Sequence, residues 1–150
     1  MNRLITALLI ILLLTAAEAR AEMVSIASLK VNLRSGPGTK HGVLWELGQG
    51  YPLHVIGRKG NWLKVTDFEH DSGWVYRKLT DSSPHMIVKV FKEKKGKINI
   101  RSGPGTTYKI IGQAYYGVVF KTVERGRNWV KVQHENGLTG WVKRSLLWGW

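Results

Sequence analysis

Cysteine is absent from this 150-residue chain, which excludes disulfide bracing, a thiolate nucleophile, cysteine metal sites and a lipid anchor carried on a thiol. The fold must then be held by packing alone. Acidic residues are few: 10 Asp and Glu stand against 23 Lys and Arg, a formal net charge of +13. That imbalance draws an exported protein toward polyanions. Proline occurs four times, and no segment after residue 21 carries a helical period, so coiled coils and collagen-like sequence are excluded. The five His and the serines fall into no G-x-S-x-G or H-E-x-x-H arrangement. No catalytic residue, no metal site and no cofactor is therefore expected, and the chain reads as a non-enzyme.

Aromatic residues are abundant: seven Trp, five Tyr and three Phe. Each such side chain can bury on the order of 150–250 Å² and so stabilise a domain with few other core residues. With 43% apolar and 22% charged residues, the chain describes ordered globular protein in one ordinary domain or two small ones.

The only long apolar run is Leu4 to Leu14, broken by Thr6 and Ala7, behind Met1-Asn2-Arg3. It falls short of the roughly 20 residues a spanning helix needs. Small residues follow, and Ala19-Arg20-Ala21 offers an A-x-A cleavage site before Glu22. The reading is a signal peptide over 1–21, with the protein exported to the periplasm or secreted. An uncleaved anchor is the alternative, and it too places the remainder outside the cytoplasm.

The remainder is one unit written twice. Asn32-Leu33-Arg34-Ser35-Gly36-Pro37-Gly38-Thr39 returns as Asn99-Ile100-Arg101-Ser102-Gly103-Pro104-Gly105-Thr106, and the same spacing carries Gly50 onto Gly117, Asn61-Trp62 onto Asn128-Trp129, and Gly73-Trp74-Val75 onto Gly140-Trp141-Val142. Duplication of one domain is the economical explanation. Alternating runs such as Trp62-Leu63-Lys64-Val65 and Trp129-Val130-Lys131-Val132 predict short strands. Gly36-Pro37-Gly38-Thr39 predicts a type II turn, closed in the second copy by Thr106, with φ above zero at the second glycine. Glu69 to Gly73 and Glu135-Asn136-Gly137 predict further hairpin loops. Small units of antiparallel strands must close to hide their edges, which predicts two small barrels. The first spans 22–80, a linker 81–85 lies within the polar run Thr80 to His85, the second barrel spans 86–147, and Trp148-Gly149-Trp150 forms a tail beyond the repeat. That tail is expected to fill the seam between the barrels.

The ordered set Asn-x-Arg-Ser-Gly-Pro, an isolated Gly, Asn-Trp-x-Lys-Val and Gly-Trp-Val, present twice, resembles bacterial SH3 (Src-homology-3-like) domains. The resemblance covers about residues 24–80 and 86–147. It implies an all-β pair of SH3-like barrels and a non-catalytic binding module of the bacterial envelope, of the kind linked to peptidoglycan or other wall polymers. A proline-rich ligand is not implied, because the acidic loop of the eukaryotic domains has no clear counterpart.

Candidate ligand-binding residues follow from the repeat. Trp74 and Trp141 are expected in the cores. Trp62 and Trp129 either pack likewise or stand on the binding surface that the resemblance implies, where an aromatic ring can stack on a sugar. Trp45 replaces Gly112, while Tyr115 and Tyr116 replace Gly48 and Gln49. Each reads as a ligand contact of one copy or as part of an interface between the barrels. Arg34 and Arg101 either grip an anionic group or brace their own Gly-Pro-Gly turns. Lys94 and Lys95, in the basic run Lys92 to Lys97, are a solvated loop or a contact for an anionic polymer or lipid headgroup. Asp67, Glu69, His70 and Asp71 read as a solvated loop.

The expected function is recognition of peptidoglycan or another anionic envelope polymer through aromatic and basic surfaces. The alternative is a periplasmic adaptor that recruits an envelope enzyme or complex. The partner is thus wall polymer or an envelope protein, with peripheral attraction to anionic surfaces, and the export signal argues against nucleic acid.

Overall fold

A computed structural model describes residues 21–150, so the segment read as a signal peptide, apart from Ala21, lies outside the described residues. Its first half carries β1 (Met23–Ile26), β2 (Lys30–Arg34), β3 (Val43–Gly48), β4 (Pro52–Lys59), β5 (Trp62–Thr66), β6 (Ser72–Tyr76) and β7 (Thr80–Asp81). Its second half repeats the series as β8 (His85–Val88), β9 (Lys97–Arg101), β10 (Ile110–Tyr115), β11 (Val119–Arg125), β12 (Trp129–Gln133), β13 (Thr139–Lys143) and β14 (Leu147–Gly149). The spatial orders correspond strand for strand: β3-β2-β6-β5-β4-β1-β7 and β10-β9-β13-β12-β11-β8-β14. All pairings are antiparallel. The helical content of the described residues is two single 3-10 turns, Arg77–Leu79 and Arg144–Leu146.

Each sheet wraps its own core. Val31, Leu33, Leu53, Leu63, Val65 and Val75 are buried in the first, and Ile98, Ile100, Phe120, Val130, Val132 and Val142 take the same places in the second. Full burial of a side chain of this kind contributes roughly 1.5–3 kcal/mol. The larger ring of Phe120 in place of Leu53 is offset by Ala114 in place of Leu47.

The expected core role of Trp74 and Trp141 is not what the sheets show. Alternation sends Val75 and Val142 inward, so the adjacent tryptophans lie on the opposite face, half-buried and outside both cores. The glycine on the other side of each Trp faces inward, where β2 in the first barrel and β9 in the second pass too close for a side chain. A Cβ on Gly73 would lie 2.6 Å from Leu33 Cγ and 2.9 Å from the Arg34 carbonyl oxygen, and one on Gly140 would meet Ile100 Cγ2 at 2.6 Å and the Arg101 carbonyl oxygen at 2.9 Å.

The segment expected to link the barrels is held in strands at both ends. Asp81 pairs with Ser25 in β1, and His85 pairs with Lys121 in β11. The Trp tail is also a strand: Leu147, Trp148 and Gly149 pair with Val88, Ile87 and Met86. It is the counterpart of β7, so the repeat runs past Leu79 in both copies.

The two barrels touch through a defined seam. Tyr116 and Trp148 of the second barrel stand 5.4 and 6.5 Å, centroid to centroid, from Phe68 of the first. The Tyr116 hydroxyl donates to Glu69, which also accepts from Lys92. That hydrogen bond holds the Lys92 ammonium above its ordinary range. Beside them, Ser25 Oγ donates to the Ser83 carbonyl at 2.8 Å, and His85 Nδ1 lies 3.0 Å from the same hydroxyl.

Candidate functional site

The outer face of β2, β6 and β5 is where polar and aromatic side chains gather. Register places Arg34 opposite Trp74, Trp74 opposite Lys64, and Tyr76 opposite Trp62, so all five side chains leave the sheet on one side. The Trp62 and Tyr76 rings stand 5.5 Å apart at 57°, a tilted aromatic pair. Beside that pair opens a shallow groove of about 570 Å³, lined by Lys30, Asn32, Arg34, Thr39, Trp62 and Tyr76 among others. It presents two aromatic rings, two cations, an amide and a hydroxyl.

One wall of the groove is the loop after β2, and its hydrogen bonds differ from the expected turn. Neither Gly38 nor Gly105 has positive φ, which a type II turn requires at its third position. The Gly38 N–H instead donates to the Gly36 carbonyl at 3.0 Å, and the Gly105 N–H to the Gly103 carbonyl at 2.9 Å. These are three-residue turns centred on Pro37 and Pro104, whose fixed φ suits the inverse γ form. Gly36 and Gly103 serve by having no side chain: a Cβ would lie 2.4 Å from His41 Nδ1 in one loop and 2.3 Å from Tyr108 Cδ1 in the other.

Arg34 and Arg101 brace these loops. Arg34 Nη1 donates to the Thr39 and His41 carbonyls at 3.2 and 2.9 Å, and Arg101 Nη1 donates to the Thr106 and Tyr108 carbonyls, both at 2.9 Å. The remaining guanidinium nitrogens have no protein acceptor among the described residues. Bracing and facing the groove are thus compatible for Arg34.

The second barrel carries the same face with altered chemistry. Trp129, Lys131, Trp141 and Arg101 repeat Trp62, Lys64, Trp74 and Arg34, but Lys143 stands opposite Trp129 where Tyr76 stands opposite Trp62. Asn99 accepts from Gln113 Nε2 at 3.0 Å, and Lys97 Nζ lies 4.9 Å from the centroid of Tyr115. The first barrel holds the aromatic pair; the second has a mixed aromatic and cationic face.

The bacterial SH3 domain family matches residues 27–82 and again residues 94–149. The chain belongs to that family. The Bacillus subtilis (strain 168) protein named "Putative N-acetylmuramoyl-L-alanine amidase YrvJ" is 27% identical over 139 residues, which are 89% of this chain and 26% of that one. The Synechocystis sp. "Serine/threonine-protein kinase D" is 43% identical over 58 residues, 35% of this chain and 12% of that one. The chain thus spans about a quarter or less of the length of these relatives. Among solved structures, an NlpC/P60 family protein from Bacillus cereus aligns over 86% of this chain and 56% of its own, with 15% identity and a TM-score of 0.35.

The two bacterial SH3 domains do not bring all the expected residues to one place. Trp62 and Arg34 share the groove of the first, and Trp129 and Arg101 share the equivalent face of the second. Trp45 is 58% exposed on β3, the terminal strand of its sheet, beside exposed Val43 and Leu44. Tyr115 is 50% exposed under Lys97. Tyr116 lies in the seam, against Phe68 and Glu69 of the first barrel, the place the interface alternative gives it. Lys94 and Lys95 are exposed in the turn before β9, Lys95 with φ of 47°. Their neighbour Lys92 reaches across to the first domain.

Asp67 is not the solvated residue the sequence implied. It is 8% exposed, accepts the Glu69 and Asp71 N–H groups at 2.9 and 3.0 Å, and accepts the Tyr51 hydroxyl at 3.1 Å. Sequence reasoning missed Tyr76, Asn32 and Phe68. The first two carried a signal, since Tyr76 follows Trp74, and Asn32 precedes Arg34, at the two-residue spacing of one strand face.

Proposed function

We propose that the chain is a non-catalytic, exported binding protein that holds cell-wall polymer in the groove of its first barrel. The observation that carries the reading is the Trp62–Tyr76 pair, 5.5 Å between centroids, set beside Arg34, Lys30 and Asn32 in one groove. Aromatic faces suit the apolar faces of sugar rings, while the amide and cations suit the hydroxyl, amide and carboxylate groups of a glycan carrying peptide stems. The name of the relative, "Putative N-acetylmuramoyl-L-alanine amidase YrvJ", supports a wall polymer of that composition. Net charge of +13 adds long-range attraction that salt screens. A second barrel at short distance raises the effective concentration of the first on a repeating ligand. Among the described residues no helix is long and apolar enough to cross a membrane.

Co-sedimentation with purified insoluble peptidoglycan, at low and at moderate salt, tests the proposal. Native protein is expected in the pellet at moderate salt, and Trp62→Ala/Trp129→Ala, confirmed folded by circular dichroism, in the supernatant. Absence of native protein from the pellet, or loss of both proteins with salt alone, favours the protein adaptor.

A further inference from the structure

We propose that a second cleft, at the seam between the barrels, is an anion site that takes a short run of closely spaced phosphate groups. The cleft is open to solvent, spans about 620 Å³ and is lined by Lys89, Arg127, Lys143 and Arg144 of the second barrel, and across the seam by His54 of the first. No carboxylate lines it. Among the described residues none of its Lys or Arg side chains forms an ion pair, the three pairs present being Lys30–Glu46, Arg58–Glu22 and Lys92–Glu69. Met23, Met86, Leu147 and Trp148 supply apolar wall. A cleft with charges of one sign and walls of low dielectric focuses its field on whatever enters.

Three of these charges are additions to the repeated unit. Arg127 stands where the first barrel has Gly60, and Lys143 where it has Tyr76. Lys89 follows β8 where Ala27 follows β1. The first barrel folds without them, so the fold does not call for them. The backbone around the cleft is held: Lys143 pairs with Trp129 in β12, the Lys89 N–H donates to the Leu146 carbonyl at 3.1 Å, and the Arg144 N–H donates to the Asn128 carbonyl at 2.8 Å. Unpaired cations rising from a held backbone around a space of this size match a ligand of high charge density. Contiguous phosphates bring several charges into such a volume, whereas carboxylates on a glycan are spaced by whole sugars.

Isothermal titration of residues 22–150 with inorganic tripolyphosphate at moderate salt tests the site, with citrate as the carboxylate comparison. Arg127→Ala/Lys143→Ala is expected to bind tripolyphosphate on the order of tenfold more weakly. Lys40→Ala/Lys109→Ala removes the same charge from exposed positions outside the cleft and is expected to stay within about twofold of the native protein. Both variants alter exposed side chains, and thermal unfolding checks that each is folded. Equal weakening in the two variants, citrate binding as tight as tripolyphosphate, or no binding by native protein would each overturn the proposal. The titration contains no wall polymer, so it fails or succeeds independently of the aromatic groove.

Discussion

The ring of Tyr116, in the second barrel, rests 5.4 Å from that of Phe68 in the first, and its hydroxyl continues onto Glu69 of the first barrel. An aromatic found in one copy of the duplication is thereby used to join the two copies. Phe68 has its own counterpart in Glu135, so neither ring of the pair is part of the shared fold. Aromatic pairs of this geometry contribute about 0.5–1.5 kcal/mol beyond the area they bury. A double-mutant cycle of Phe68→Ala and Tyr116→Ala, read by denaturant unfolding, is expected to show a coupling of about that size. Simple additivity would mean that the rings do not interact in solution.

The close passage of β2 over β6 makes a separate prediction. Gly73→Ala forces a methyl to within 3 Å of Leu33 and of a backbone oxygen that has no room to retreat. Overpacking of this kind costs about 1–3 kcal/mol, and Gly140→Ala carries the same penalty in the second barrel. Urea unfolding of the two variants measures it. An unchanged midpoint in both would contradict the packing described.

Tyr51 ties stability to alkaline pH. Burial raises its phenol above the ordinary 10.0, and the neighbouring Asp67 carboxylate, which also accepts its hydrogen bond, raises it further. In the unfolded chain the phenol ionises near the ordinary value, so the contribution is intact below about pH 10 and is lost as pH rises toward the folded value. Native protein is expected to lose stability above about pH 10 more steeply than Tyr51→Phe. At neutral pH the variant is expected to be less stable by about 1 kcal/mol, the net worth of one hydrogen bond. Parallel stability curves above pH 10 would contradict this account.

The duplication and the all-β class were legible because the Asn-x-Arg-Ser-Gly-Pro block, the Asn-Trp pair and the Gly-Trp-Val triplet return in order. The inward and outward roles within those motifs were less so. Trp74 looks like core by its size, yet its neighbours Gly73 and Val75 hold the inward positions, and strand alternation leaves the ring outside. Gly38 looks like the positive-φ residue of a Pro-Gly turn, but the bonds of Arg34 to Thr39 and His41 stabilise a different loop. The seam was the least legible element. Phe68, Tyr116 and Trp148 are far apart in the chain, and only the three-dimensional placement of the barrels brings them together.

Binding at the Trp62 groove is tested most directly by titrating soluble peptidoglycan fragments into isotopically labelled residues 22–150 and following the seven tryptophan indole N–H resonances by NMR. The resonances are assigned by single Trp→Phe variants. The account predicts that the Trp62 indole and the backbone amides of Asn32, Arg34 and Tyr76 shift together and saturate, while Trp45 stays in place. Saturating shifts confined to Trp45 or Tyr115, or no shift at Trp62, would contradict it.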